Sequence, residues 1–237
     1  RSMIFALRFA PGRFAAAPEA AQGSRPDLGP MPEWNLTDLY AAPAAPEVAR
    51  DLERCVADAK ALRERWQGKL VAAGRDGAAI ADAVIAYEAL GDLMGRLGSY
   101  AQLLYTGNQA DPERAKFFGD MQEKLTRIST DLVFFELELN QIGDADIATA
   151  MQHQALARYK PWLEDLRREK PFQLDEKLET LFMEKGQTSR GAFNRLFDET
   201  MTALRFKVAG EAEPMALEPT LNLLSSADRA RRQAGAE

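Results

Sequence analysis

Apolar residues recur at helical steps along most of this chain. Between about Pro46 and Leu70, the residues Val48, Leu52, Cys55, Ala59, Leu62, Trp66 and Leu70 follow at intervals of three and four. That spacing keeps them on one face of a helix. A second stripe joins Ile80, Val84, Tyr87, Leu90, Met94, Leu97, Ala101 and Leu104, which predicts a helix from about Gly77 to Tyr105. Asp76 is its expected N-cap and Gly107 its stop. Gly91, Gly95 and Gly98 lie inside it, each costing on the order of 1 kcal/mol relative to alanine. Close approach of a neighbouring helix is the expected compensation; a ligand against the bare backbone is the alternative.

The third pattern is the clearest. Asp111 caps and Pro112 opens a run in which Phe118, Met121, Leu125, Ile128, Leu132, Phe135 and Leu139 alternate steps of three and four. This heptad-like seam predicts one helix to Asn140, about 30 residues or roughly 45 Å long. Its expected place is against the preceding helix. A fourth helix is predicted from Asp144 to Tyr159, ended by Pro161, which opens a short segment through Arg168. Asp175 caps a helix from Glu176 to Lys185, with Leu178, Leu181 and Phe182 inward and Gly186 as its stop. Thr188 or Ser189 caps the next, with Phe193, Leu196, Phe197 and Leu204 apolar. Only Leu204, Phe206 and Val208 alternate as a strand does, and Met215 to Leu217 returns after a turn. Ser226 and Asp228 precede a last helix starting at Arg229, and its short run predicts a chain cut within a started helix. The fold class expected is mainly α: long antiparallel helices in a bundle-like array, with one small β-hairpin near 204–217.

Residues 1–33 are rich in Ala, Pro and Gly without a period and read as a flexible leader. Arg8 interrupts the apolar run from Met3 to Ala10, so no signal-peptide core forms. The segment from Trp34 to Tyr40 is expected to dock through Trp34, Leu36, Leu39 and Tyr40.

Composition narrows the chemistry. With 237 residues, 46% hydrophobic and 28% charged, the chain can build a core. Lys+Arg number 30 against Asp+Glu 36, a net charge of −6 with both signs interspersed, and no basic stripe appears. Nucleic acid is therefore not an expected partner. No run of about 20 apolar residues exists, so no membrane span is expected. The single cysteine, Cys55, reads as a small buried hydrophobe and fits a reducing, cytoplasmic location. The single histidine, His153, sits in the polar run Gln152-His153-Gln154 and reads as a surface residue. One histidine makes an H-E-x-x-H zinc motif impossible, and no phosphate-binding glycine loop or C-x-x-C pair occurs. No residue stands out as catalytic, metal-ligating or substrate-binding.

Three blocks carry a resemblance. Trp34-Asn35-Leu36-Thr37-Asp38-Leu39-Tyr40 resembles the W-[DN]-L-[ST]-D-L-[YF] opening of the oligoendopeptidase F group of M3 zinc metallopeptidases. The run from Arg167 through Pro171-Phe172-Gln173-Leu174-Asp175-Glu176, with Leu178-Glu179-Thr180-Leu181, is similar to that group's "R…P-H-x-L-S-E…E-x-L" stretch. The third block joins Phe193–Thr200, Leu204-Arg205-Phe206 and the run from Leu221 to Arg229. Phe172 stands where the group has histidine, and Asp175 where it has serine.

The resemblance covers 34–237 and implies the amino-terminal part of an all-helical metalloendopeptidase. In such enzymes this part walls or gates a channel that admits short peptides. It implies a helical domain over 34–185 and the start of the catalytic-region scaffold over 186–237. The zinc, the H-E-x-x-H motif and a downstream glutamate would belong to a carboxyl-terminal catalytic region, the implied partner. The 237 residues alone would bind no zinc and cleave nothing. A non-catalytic helical adaptor, with the 118–139 seam facing a partner, is the alternative.

Overall fold

The long period-of-three-and-four stripes become a stack of consecutive helices. Residues 33–237 are described by this computed structural model; the leader expected over 1–33 lies, except for Glu33, outside the described residues. Trp34–Glu237 form one unit. Among the described residues the fold is mainly helical and contains no sheet.

Helix α1 (Pro46–Trp66) and helix α2 (Gly77–Gly107) pack side by side, and α3 (Pro112–Thr130) lies along α2. The Asp76 carboxylate accepts from the Ala78 and Ala79 N–H groups, and Asp111 from those of Glu113 and Arg114, as N-caps should. Helix α1 stops before Leu70 because Gly68 adopts φ +75°, a left-handed conformation glycine takes without strain. Glu138 then accepts from the Gly68 N–H at 2.6 Å and the Leu70 N–H at 3.3 Å.

The predicted third helix is two helices. Helix α3 ends at Thr130, and α4 (Val133–Gln141) follows. At the join, Ser129 Oγ donates to Leu125 O and Thr130 Oγ1 to Arg127 O. Polar side chains that bond the preceding turn compete with a straight ladder. Asp131 is pulled outward to Arg63 Nη1 at 2.6 Å. The seam nonetheless stays buried, with Leu125 only partly so, and it packs within the core, as the Tyr105–Phe118 stack at 4.9 Å illustrates.

The expected helix over 144–159 is also divided. Helix α5 (Asp144–Ala150) is followed by a 3-10 turn (Gln154–Tyr159), then α6 (Lys160–Glu169) and a short 3-10 turn (Lys170–Phe172). His153 sits exposed at the break, where its Nδ1 accepts from the Ala155 N–H at 3.3 Å. Arg167 clamps this corner: its guanidinium donates to Leu139 O and Ile142 O and pairs with Asp144. Asn140 Nδ2 donates to Leu166 O at 2.8 Å and ties α4 to α6.

Helix α7 (Glu176–Thr188) runs past Gly186, and α8 (Arg190–Ala203) begins directly after Ser189. Ser189 does not cap α8; its Oγ donates back to Lys185 O at 2.6 Å. The hairpin expected over 204–217 reduces to a single antiparallel pair, Phe206 with Met215. Leu204 N–H is committed to Thr200 O, Pro214 has no N–H, and Leu217 opens α9 (Leu217–Leu223), so no ladder can extend. Asp228, not Ser226, caps α10 (Arg229–Ala236). Val208 and Leu223 are buried outside the main core cluster.

The opening block is an anchor. Tyr40 is buried, packs edge-on to Tyr100 at 5.3 Å and donates to Asp51 Oδ2 at 3.0 Å. Arg96 covers its ring and donates to Leu39 O at 2.6 Å. Leu36 and Leu39 are partly buried as expected, whereas Trp34 is 64% exposed and does not dock.

Candidate functional site

The glycines of α2 lead to the site. A β-carbon on Gly91 or Gly95 would meet nothing within 4 Å, so neither position is held open for a helix. Gly98 alone has a close neighbour, Leu125 Cδ1 at 3.4 Å. Gly91 instead lines a groove of about 580 Å³ between α2, the α3–α4 join and α7. Met94, Leu132, Val133, Leu137 and Met183 give it apolar walls, and Tyr87, Glu136, Gln173 and Glu179 give it polar points.

The polar points are fixed. Tyr87 donates to Glu136 Oε1 at 3.0 Å and stacks on Phe135 with ring centroids 4.3 Å apart. Burial, and then the Glu136 charge beside it, push the Tyr87 hydroxyl well above its ordinary range, so it remains a donor. Glu179 Oε1 accepts from the Leu174 N–H at 2.9 Å. Asp175 caps the helix that carries Glu179, accepting from the Lys177 and Leu178 N–H groups. Aspartate and serine are both good N-caps, so the departure at Asp175 from the group's serine preserves the local structure.

Helix α7 is turned contrary to its expected orientation. Glu179, Met183 and Gln187 line grooves against α3 and α4, while Leu178, Leu181 and Phe182 face outward. Helix α8 likewise exposes Phe193, Leu196 and Phe197, and neither helix has a fully buried residue. Phe172, in place of the group's histidine, is 78% exposed. These apolar positions are real stripes, but the side expected to be inward is uncovered.

No catalytic or metal residue was expected in this chain. Cys55 is sealed in the core, where burial first, then Asp58 and Asp51, push its thiol up to about 11. His153 holds a turn, and its β-carbon lies against Gly77. Tyr100 and Tyr105 are core residues. Among the described residues no three His, Cys, Asp or Glu side chains group closely enough to hold a metal ion. That grouping was not expected here, since the resemblance places the zinc in a carboxyl-terminal catalytic region. Sequence reasoning missed Glu136 as a groove residue because Tyr87 and its neighbours looked like ordinary core. The signal available was the row of glycines, for which a ligand against the bare backbone was the alternative reading.

Comparison with known proteins gives three results. Residues 138–206 match the peptidase M3 amino-terminal family model, described as Oligopeptidase F. No curated protein matches the chain. The fold is similar to the crystal structure of oligoendopeptidase-F from Enterococcus faecium, with a TM-score of 0.68 at 19% identity over 80% of this chain. The chain spans 38% of the length of that protein. A candidate peptidase from Chlamydophila abortus matches over 86% of this chain and 34% of its own, at 16% identity and a TM-score of 0.46. The matched segment contains Glu138, the Arg167 clamp, the Asp175 cap and the inverted α7, and it ends at Phe206. Over residues 138–206 this chain thus carries the amino-terminal sequence pattern of the M3 oligopeptidase F family, on a fold shared with an oligoendopeptidase F.

Proposed function

We propose that this chain forms a wall or lid of the peptide channel of a zinc-dependent oligoendopeptidase that hydrolyses short peptides. The zinc site would come from a carboxyl-terminal catalytic region outside these 237 residues, and this chain alone would be inactive. The observation that carries the reading is the uncovered apolar side of α7 and α8 within the family-matched segment. Phe182, Phe193 and Phe197 are each more than three-fifths exposed. Soluble proteins seldom leave such stripes bare, so they fit a surface that the catalytic region covers. On this reading residues 34–185 form the helical domain proper and 186–237 begin the catalytic scaffold. The adaptor alternative is less well supported, because the 118–139 seam is spent inside the core.

No helix among the described residues is long and apolar enough to cross a membrane. A cytoplasmic setting, as for an enzyme meeting short peptides, goes with the proposal.

The test is zinc-dependent cleavage of a quenched fluorescent peptide. The chain joined to its natural continuation should cleave, and the 237 residues alone should not. Hydrolysis by this chain alone with zinc, or a continuation lacking H-E-x-x-H, would overturn the assignment.

A further inference from the structure

We propose that the groove between α2, α4 and α7 receives one cationic side chain, lysine or arginine, of a peptide, held by Glu136 and Glu179. The inference rests on the peptide-channel reading and adds a specificity to it.

Charge and shape carry the proposal together. The groove is about 580 Å³, within the range of ligand sites, on the order of 300–1,000 Å³. No lysine or arginine lines it. Among the described residues, neither Glu136 nor Glu179 enters an ion pair, although both project into the same space. Each spends its Oε1 on one donor, Tyr87 or the Leu174 N–H, and so is held in place by it. Their Oε2 atoms accept no hydrogen bond from the described residues. Two orientated carboxylates facing a half-enclosed apolar groove favour a cation over any other occupant.

The walls select the kind of cation. Met94, Leu132, Leu137 and Met183 offer an apolar path to the carboxylates. Lysine and arginine bury a methylene stem along such a surface while keeping the charged head polar. A bare ammonium or a small inorganic cation would leave those walls unused. An acidic side chain would be repelled, and an apolar one would cover the carboxylates without compensating them. Gly91 completes the fit, since the open space above its backbone lets a peptide main chain approach α2. Of the residues of α7, Glu179 and Met183 line this groove, one supplying a carboxylate and the other apolar wall.

The test uses this chain and two blocked peptides, acetyl-Ala-Ala-Lys-Ala-Ala-amide and its norleucine counterpart. Norleucine keeps the stem and lacks the ammonium. Calorimetric titration at low salt should show the lysine peptide bound about tenfold tighter or more, with the difference shrinking as salt rises. Glu136→Gln with Glu179→Gln keeps both acceptors, and so the fold, but should remove the lysine preference. Gly91→Phe should fill the groove and weaken both peptides. Equal affinity for the two peptides in the unmodified chain would overturn the cationic specificity while leaving the hydrolysis test of the channel reading untouched. So would a lysine preference that survives the double substitution. Binding of neither peptide would overturn the groove as a peptide subsite.

Discussion

Alanine at Gly91 adds a methyl group to the middle of a 31-residue helix, at a position where nothing lies within 4 Å of the new atom. The cost of glycine in a helix interior is mainly the backbone freedom it loses on folding, on the order of 1 kcal/mol against alanine. With no clash to offset it, Gly91→Ala should stabilise the protein by about that amount. For a chain of this size the midpoint of thermal unfolding would rise by about 2–4 °C. Gly95→Ala, equally open, should do the same. Gly77 is the internal control. There a β-carbon would stand 2.5 Å from His153 Cβ and 2.6 Å from Ala150 O. The second contact is backbone and cannot rotate away. Gly77→Ala should therefore destabilise by about 1–3 kcal/mol, the usual cost of overpacking. Urea unfolding followed by circular dichroism measures all three against the parent. A destabilised Gly91→Ala, or a Gly77→Ala as stable as the parent, would refute the placement of the α5 turn against α2 and the open groove beside it.

Arg167→Met should cost about 2–3 kcal/mol, because it strips charge-assisted bonds from Leu139 O and Ile142 O at a nearly buried corner; Arg167→Lys should recover only part, as lysine cannot fork. Chemical denaturation reads both. Tyr40→Phe removes a donor from Asp51, which is only 4% exposed, and should cost about 1–2 kcal/mol near neutral pH. Burial alone would raise the Asp51 carboxyl, but hydrogen bonds from Arg50 and Tyr40 outweigh it and hold the group below its ordinary 3.8. A depressed carboxyl stabilises the fold above its unfolded value, and that contribution is lost as pH falls through the lower folded one. The gap between parent and Tyr40→Phe should therefore narrow in unfolding measurements made below 3.8. The Cys55 thiol, buried and pushed up to about 11, should resist a disulfide reagent at about pH 8 in the native protein and react fully once denatured. Fast native reaction would contradict its burial.

Much of the helical order was legible in the residues. Most stripe positions of α1, α2 and the 118–139 seam are buried, with Leu52, Tyr87, Met94, Leu104 and Leu125 only partly so, and Asp76, Asp111 and Asp175 cap where their spacing places them. The three family-like blocks also proved to be structural corners: Tyr40 with Asp51, the Arg167 clamp, and the Phe206–Met215 pair. The stripes and caps depend on residues within a few turns of one another, whereas the Arg167 clamp joins residues 23–28 positions apart and only the folded chain shows its partners.

The groove and the outward face of α7 and α8 were not legible, and the reason is geometric. Helical period states which side chains share a face; it does not state what stands opposite. Leu178, Leu181 and Phe182 form a true apolar stripe, yet the body of the fold meets the other side of their helix. Gly91 and Gly95 looked like contact points, yet neither has a neighbour within 4 Å of an added β-carbon, and the groove bounded by α7 and the α3–α4 join lies beside Gly91. The seam kept its spacing across Asp131, so its period hid the break made by Ser129, Thr130 and Arg63. The sequence by itself determined the helices and their caps, because those follow from local spacing and local hydrogen bonds. Tertiary packing alone decided which apolar face is buried and where the carboxylates of the groove converge, because both depend on segments distant in the chain.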